Sequence, residues 1–273
     1  LADIVHEKSV QDRLIKLMDL PENKIDLLHV ALLISRLDNA ELEIDHYKRT
    51  VKGMAGDIRS TLPAKASDND KLNALGKYMF EENGYHGSRG DYYNRSNSYI
   101  NEVIDDREGI PITLSVLYME LARQLELKMV GIGLPGHFVV AQLRDKKEPK
   151  LIDVYDGAKI LTRKDAELIV RNIAGIPLQE DHLKPVDNRA IIVRMLRNLI
   201  GVSNNNEPPE TVLRYLNTLI LLQPDSPQER LNRALMQMRL KKNEKAKEDV
   251  RWLLDNNPPG LNRERLLELF QRL

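Results

Sequence analysis

Apolar positions recur at helical spacing through the first eighty residues. Leu14, Leu17, Met18 and Leu20 form one stripe, and Pro21 stops it because proline cannot continue the helical hydrogen-bond ladder. Leu27, Leu28, Ala31, Leu32 and Ile34 form a second stripe, extended by Leu37. A third runs through Leu42, Ile44, Tyr47, Val51, Met54 and Ile58. Pro63 and the polar run Ser67-Asp68-Asn69-Asp70 read as the end of this bundle, and Leu72, Leu75, Tyr78, Met79 and Phe80 as one further helix. From Asn83 to Asn97 the periodicity lapses. Gly84, Gly87 and Gly90 alternate there with Tyr85, Tyr92 and Tyr93. Hydrogen bonds and aromatic packing must hold such a stretch. It reads as a structured connector or as a ligand-lining loop.

The middle of the chain changes period. Pro111 suits the first turn of a helix, where an amide hydrogen has no partner anyway. Leu114, Leu117, Leu121 and Leu125 then line one face of a core helix. Met129–Leu134 and Phe138–Leu143 read as strands, residues 144–149 as a polar turn, and Leu151–Tyr155 as the returning strand. Asp165–Ile173 reads as a helix ended near Gly175 and Pro177.

Beyond about residue 186 the pattern is helical again, with an internal period. Pro224 and Pro258, Val212 and Ala246, Leu216 and Val250, and Leu219 and Leu253 each lie 34 residues apart. Ala234 and Ala246 are small enough for two antiparallel helices to approach closely. This resembles the tetratricopeptide repeat, well matched over 227–258 and degenerate over 193–224, where Asn204-Asn205-Asn206 and Pro208-Pro209 fill the turn. Leu261–Leu273 would cap the array. The organisation expected is α+β. An N-terminal helical bundle (1–82) precedes a papain-like core with an antiparallel sheet (83–185) and tetratricopeptide-like hairpins (186–273).

Composition narrows the class. The 273 residues are 42% hydrophobic and 30% charged, with 41 basic against 41 acidic side chains. That balance argues against nucleic acid or an anionic membrane as partner. No apolar run approaches the roughly 20 residues of a membrane span, so the cytoplasm is the expected location. The first residue is Leu1, which leaves the N-terminus open; oligomeric state cannot be read either. The chain has no cysteine, hence no disulfide and no thiolate metal site. The six histidines are scattered without a His-x-x-x-His pair, and no phosphate-binding glycine loop appears, so neither metal nor cofactor is expected.

One His and one Asp follow the buried helix on consecutive expected strands: His137 and Asp153. In a papain-type thiol site a cysteine opens the central helix, a His comes from a following strand, and an Asp or Asn orients it. The stretch Asn97–Gly157 resembles the core of a bacterial transglutaminase-like, tetratricopeptide-containing family and of a eukaryotic F-box relative. The matching residues are Asn97-Ser98-Tyr99, Arg107 to Ser115, Pro135-Gly136-His137-Phe138 and Asp153 to Gly157. The resemblance implies that residue 111 holds the nucleophile position, and that position is proline. Proline has no nucleophilic side chain and no amide to bind an oxyanion. Arg123 falls where the superfamily has a downstream arginine; Glu126 replaces a usual glycine. Ser115, one turn on, lies inside the helix without the help of the helix dipole. The expected site is therefore a vestigial dyad, His137 and Asp153, with Asn97, Tyr99, Ser115, Tyr92 and Tyr155 as groove-lining candidates. The function expected is a non-catalytic protein whose repeat surface binds a protein or peptide. The alternative is an amide hydrolase or acyl transferase using His137 and Asp153 with another nucleophile or an activated water.

Overall fold

The computed structural model describes residues 2–91, 93–144, 147–203 and 207–273. They fall into two compact units, Leu20–Met195 and Leu1–Asp19 with Leu196–Leu273. The first helix, α1 (Ala2–Met18), belongs to the second unit.

The first unit begins with α2 (Leu27–Arg36), whose N-terminus is capped by Asp26 accepting the His29 amide at 3.0 Å. Its residues Val30 to Ser35 are all buried. The next helix, α3 (Ile44–Ser60), buries Val51, Met54, Ala55 and Ile58. The polar run at 67–70 does not end the bundle but opens α4 (Asp68–Gly76). Ser67 accepts the Asp70 amide at 3.2 Å and Asp70 accepts the Ser67 amide at 2.8 Å, so the orphan donors of the first turn are satisfied. The apolar positions that follow continue through a π-helical turn, Lys77–Glu82.

Two short strands, β1 (His86–Gly87) and β2 (Glu108–Gly109), pair in parallel and anchor the glycine–tyrosine stretch. Between them α5 (Ile100–Asp106) ends at Arg107, a left-handed residue at φ 62°. The central helix, α6 (Pro111–Gln124), starts at the expected proline and is buried from Pro111 to Ala122. It packs against β3 (Met129–Ile132) and β4 (Val139–Arg144). With β5 (Lys147–Asp153), β6 (Lys159–Leu161) and β7 (Pro185–Val186) these form an antiparallel sheet in the order β6-β5-β4-β3-β7. The first central strand is shorter than its apolar run, and the second starts one residue later than its run. The Leu134 amide turns back to the Ile132 carbonyl and the His137 amide to that of Leu134, so residues 133–138 form a turn. His137 therefore precedes β4 rather than lying on it.

One sheet face carries Ile132, Val139, Ala141 and Leu161, packed against Ala166 and Val170 of α7 (Arg163–Ala174). This helix opens with a Thr162–Asp165 capping box and ends at Gly175, left-handed at φ 69°.

The helix α8 (Asn188–Ser203) starts in the first unit and finishes in the second. There follow α9 (Pro209–Leu222), α10 (Pro227–Arg239), α11 (Asn243–Asn256) and α12 (Arg263–Arg272). The span of α11 repeats that of α9 displaced by 34 residues. Ala234 and Ala246 are fully buried where α10 meets α11. The turn at 204–206 lies outside the described residues. Neither unit coincides with the three-part division read from periodicity. Helices α2 to α4 belong with the sheet, whereas α1 packs on α9, where Gln11 donates to Thr218 Oγ1 at 3.0 Å. An amphipathic stripe says that a helix is covered on one side, not which partner covers it. Among the described residues no helix is long and apolar enough to cross a membrane.

Candidate functional site

His137 and Asp153 meet at the end of the sheet. The ring Nε2 lies 2.9 Å from Asp153 Oδ2, and both residues are buried, at 6% and 5% exposure. The ladder explains the meeting: Val140 pairs with Ile152, which sets Asp153 opposite Val139, two residues after His137. The other oxygen, Oδ1, accepts the amides of Tyr155 at 3.1 Å and Asp156 at 3.3 Å. A carboxylate oxygen can only accept, so the tautomer that fits this contact carries its proton on Nε2 and donates it to Oδ2. The remaining ring nitrogen, Nδ1, has no hydrogen bond among the described residues.

The turn carrying His137 is fixed from three directions. Gly136 has φ +75°, and a Cβ there would lie 2.5 Å from Ile173 Cγ2, so only glycine fits. Arg194 of α8 donates to the carbonyls of Leu134 at 3.2 Å and His137 at 2.6 Å, and stacks 5.3 Å over the Phe138 ring. The Tyr155 ring stands edge-on to the imidazole at 6.0 Å, and its hydroxyl donates to the Ser88 carbonyl. Gly87 makes room for that ring, because a Cβ there would fall 2.5 Å from it.

A cleft of about 680 Å³ opens beside the pair. Pro111, His137, Asp153 and Tyr155 all line it, so the start of the central helix and the dyad share one space. The other sequence candidates lie elsewhere. Asn97 is buried; its Nδ2 donates to the Asp91 carbonyl at 2.9 Å, and its own carbonyl accepts the Ile110 amide at 3.3 Å and the Thr113 hydroxyl at 2.7 Å. It props the start of α6. The Tyr99 hydroxyl donates to Asp38 at 2.7 Å. Ser115 is fully buried inside α6, with no partner for its hydroxyl among the described residues. None of these three lines the cleft, because each faces the packing around α6. Tyr92 lies outside the described residues.

Arg89 and Tyr93, from the glycine–tyrosine stretch, also line the cleft; sequence reading missed Lys159 and the α7 side chains Leu168 and Ile173. One signal was present. Leu168 stands off the Ala166–Val170 stripe, and an apolar residue on the outer side of an amphipathic helix asks for a reason. Among the described residues no three of His, Asp and Glu gather as a metal site.

A buried helix entering a cleft beside a His–Asp pair at the end of an antiparallel sheet is the architecture of a transglutaminase-like core. The chain belongs to the transglutaminase-like superfamily, whose family model matches residues 45–197. Its relatives include a UPF0162 protein of Xylella fastidiosa (strain 9a5c), 30% identical over 246 residues, covering 88% of this chain and 87% of that one. Human F-box only protein 21 is 26% identical over 167 residues, 58% of this chain and 26% of its own length. The protein thus belongs to a bacterial transglutaminase-like family related to the eukaryotic F-box protein. Among solved structures, menin aligns at 10% identity with a TM-score of 0.43, over 89% of this chain and 68% of that chain, too slight a likeness to bear on fold or function.

Proposed function

We propose that the protein is a non-catalytic member of its superfamily that keeps the cleft as a binding groove. The observation that carries this reading is the identity of residue 111. It opens the central helix and lines the cleft with His137 and Asp153, yet it is proline. No serine or threonine is among the described lining residues, and the chain has no cysteine. A His–Asp pair without an activated nucleophile cannot form an acyl intermediate. The helical unit extends the reading: the 34-residue displacement of α11 from α9 and the small residues between α10 and α11 support tetratricopeptide-like hairpins that present a surface to a protein or peptide. Kinship with an F-box protein is in keeping with a binding role.

A second reading is favoured by Nδ1 of His137, which has no hydrogen bond among the described residues and has the chemistry to activate a water for amide hydrolysis. One comparison separates the two. Purified protein and His137→Ala are assayed against glutamine peptides with an amine acceptor and against a panel of small amides. The binding reading expects the same background from both. Turnover that depends on His137 overturns it.

A further inference from the structure

The charged groups of the cleft are not all satisfied. Asp153 takes His137 and two backbone amides. Asp156 pairs with Arg89 at 3.3 Å. Asp165 accepts the Thr162 amide at 2.8 Å and hydroxyl at 2.6 Å. Each carboxylate lining the cleft is thus engaged. Lys159 alone of the charged lining residues has neither an ion pair nor a hydrogen bond among the described residues. It pairs in register with Asp153 and feels Asp165 through space, but no carboxylate of the described residues lies at ion-pair distance from it, so its ammonium stands beside the dyad without a contact partner.

Two further features sit around that cation. Leu168 and Ile173 of α7 are 45% and 55% exposed, and Tyr93 is 70% exposed. Single exposed apolar residues need no explanation, but these three converge on one cleft. The third feature is the strand that carries Lys159. β6 is the last strand of its sheet, bonded to β5 on one side only. Its outer edge presents backbone donors and acceptors that an extended chain can match.

We propose that the cleft takes an extended peptide segment laid along the free edge of β6, with an acidic side chain against Lys159 and an apolar side chain, two residues away, against Leu168 and Ile173. The spacing follows from the strand period. Side chains two apart share a face, as Lys159 and Leu161 do here, so both recognised side chains of an added strand point into the cleft. The proposal rests on the reading of the cleft as a binding groove and adds to it the chemistry of the occupant.

The test is a random octapeptide library displayed on phage. It is panned on the full chain, with peptides that also bind Ile173→Arg removed. The expected enrichment is Asp or Glu two positions from Leu, Ile, Val or Phe. Panning on Lys159→Glu should replace the acid by Lys or Arg at the same spacing. A synthetic winner should bind roughly two- to fivefold more weakly when its acid becomes the amide. Methylation of alternate main-chain nitrogens should weaken it about tenfold. Both substituted residues are exposed, and a melting curve of each variant checks that it keeps the fold. Winners with no acid, winners unchanged by Lys159→Glu, or winners indifferent to methylation overturn the proposal and leave the groove standing. If no peptide depends on Ile173, the groove itself is lost, and the proposal with it.

Discussion

Asp153 in the sheet unit and Asp249 in the helical unit are buried to a similar degree, at 5% and 1% exposure. Asp249 is held by two arginines. Arg233 meets both of its oxygens at 2.7 Å, and Arg230 meets Oδ1 at 3.1 Å while stacking 4.2 Å over Trp252. Charge answers charge there, and the carboxylate does not line any cleft described above. Asp153 is answered by one imidazole and two amides, and the other nitrogen of that imidazole has no partner among the described residues. Burial is therefore a poor guide to role. What separates the two acids is whether the partner has bonding capacity left over: a bidentate arginine fork closes the account, whereas a histidine bonded through one nitrogen leaves it open.

Asp249→Ala should be the most damaging change in this comparison. It strands two partly buried guanidiniums and should destabilise by about 3–5 kcal/mol, read from urea unfolding. An effect under about 1 kcal/mol would mean that the arginines find other acceptors. His137→Ala should cost less, about 1–3 kcal/mol, because the two amides still hold Oδ1 of Asp153. An unchanged melting temperature would count against a buried pair. Arg194→Met removes the donor to two turn carbonyls and should cost about 1–2 kcal/mol. Its sharper signature is spectroscopic: the imidazole resonances of His137 should shift or broaden, whereas Asp249→Ala leaves them in place.

Two smaller tests follow. Burial pushes the carboxyl pKa of Glu229 up, but hydrogen bonds from Ser226 and Arg197 outweigh it and hold it below the usual glutamate range. A depressed carboxylate pKa stabilises the fold above its unfolded value, and that contribution fades as pH falls through the folded one. Glu229→Gln should therefore cost about 1 kcal/mol at neutral pH, with the gap to the parent closing below about pH 4 in pH-dependent unfolding curves. Least of all, Pro111→Cys should yield no thiol-dependent acyl transfer. The variant regains the residue 111 amide, but such chemistry needs further oxyanion donors as well as a thiolate, and the adjacent Ile110 amide is already given to Asn97. Robust transfer from that variant would show that one side chain separates this site from a working one.

The legible parts of the molecule were those set by local rules. Pro111 announced the start of α6, and Gly175 the end of α7. His137 and Asp153 were singled out by the order of helix, His and Asp and by the motif stretch they belong to; the observed register then sets Asp153 opposite Val139. Asn97, Tyr99 and Ser115 show the limit. They belong to the same motif stretch, yet their hydrogen bonds and burial hold α6 and its surroundings, and a motif does not say which of its members face a cavity. The cleft wall on α7 was half hidden: Leu168 stands off the buried stripe and could have been noticed, whereas Ile173 counts as core by pattern and only three-dimensional packing leaves it bare. The pairing of α1 with α9 depends on contacts about two hundred residues apart, which no periodicity encodes.

The helix from Asn188 to Ser203 runs without interruption through the boundary at Met195 and Leu196. The family match also stops inside it, at residue 197. A fragment trimmed there would end in mid-helix, keeping Arg194 while leaving its last carbonyls without their amide partners. Expression of the core alone should therefore extend to residue 203.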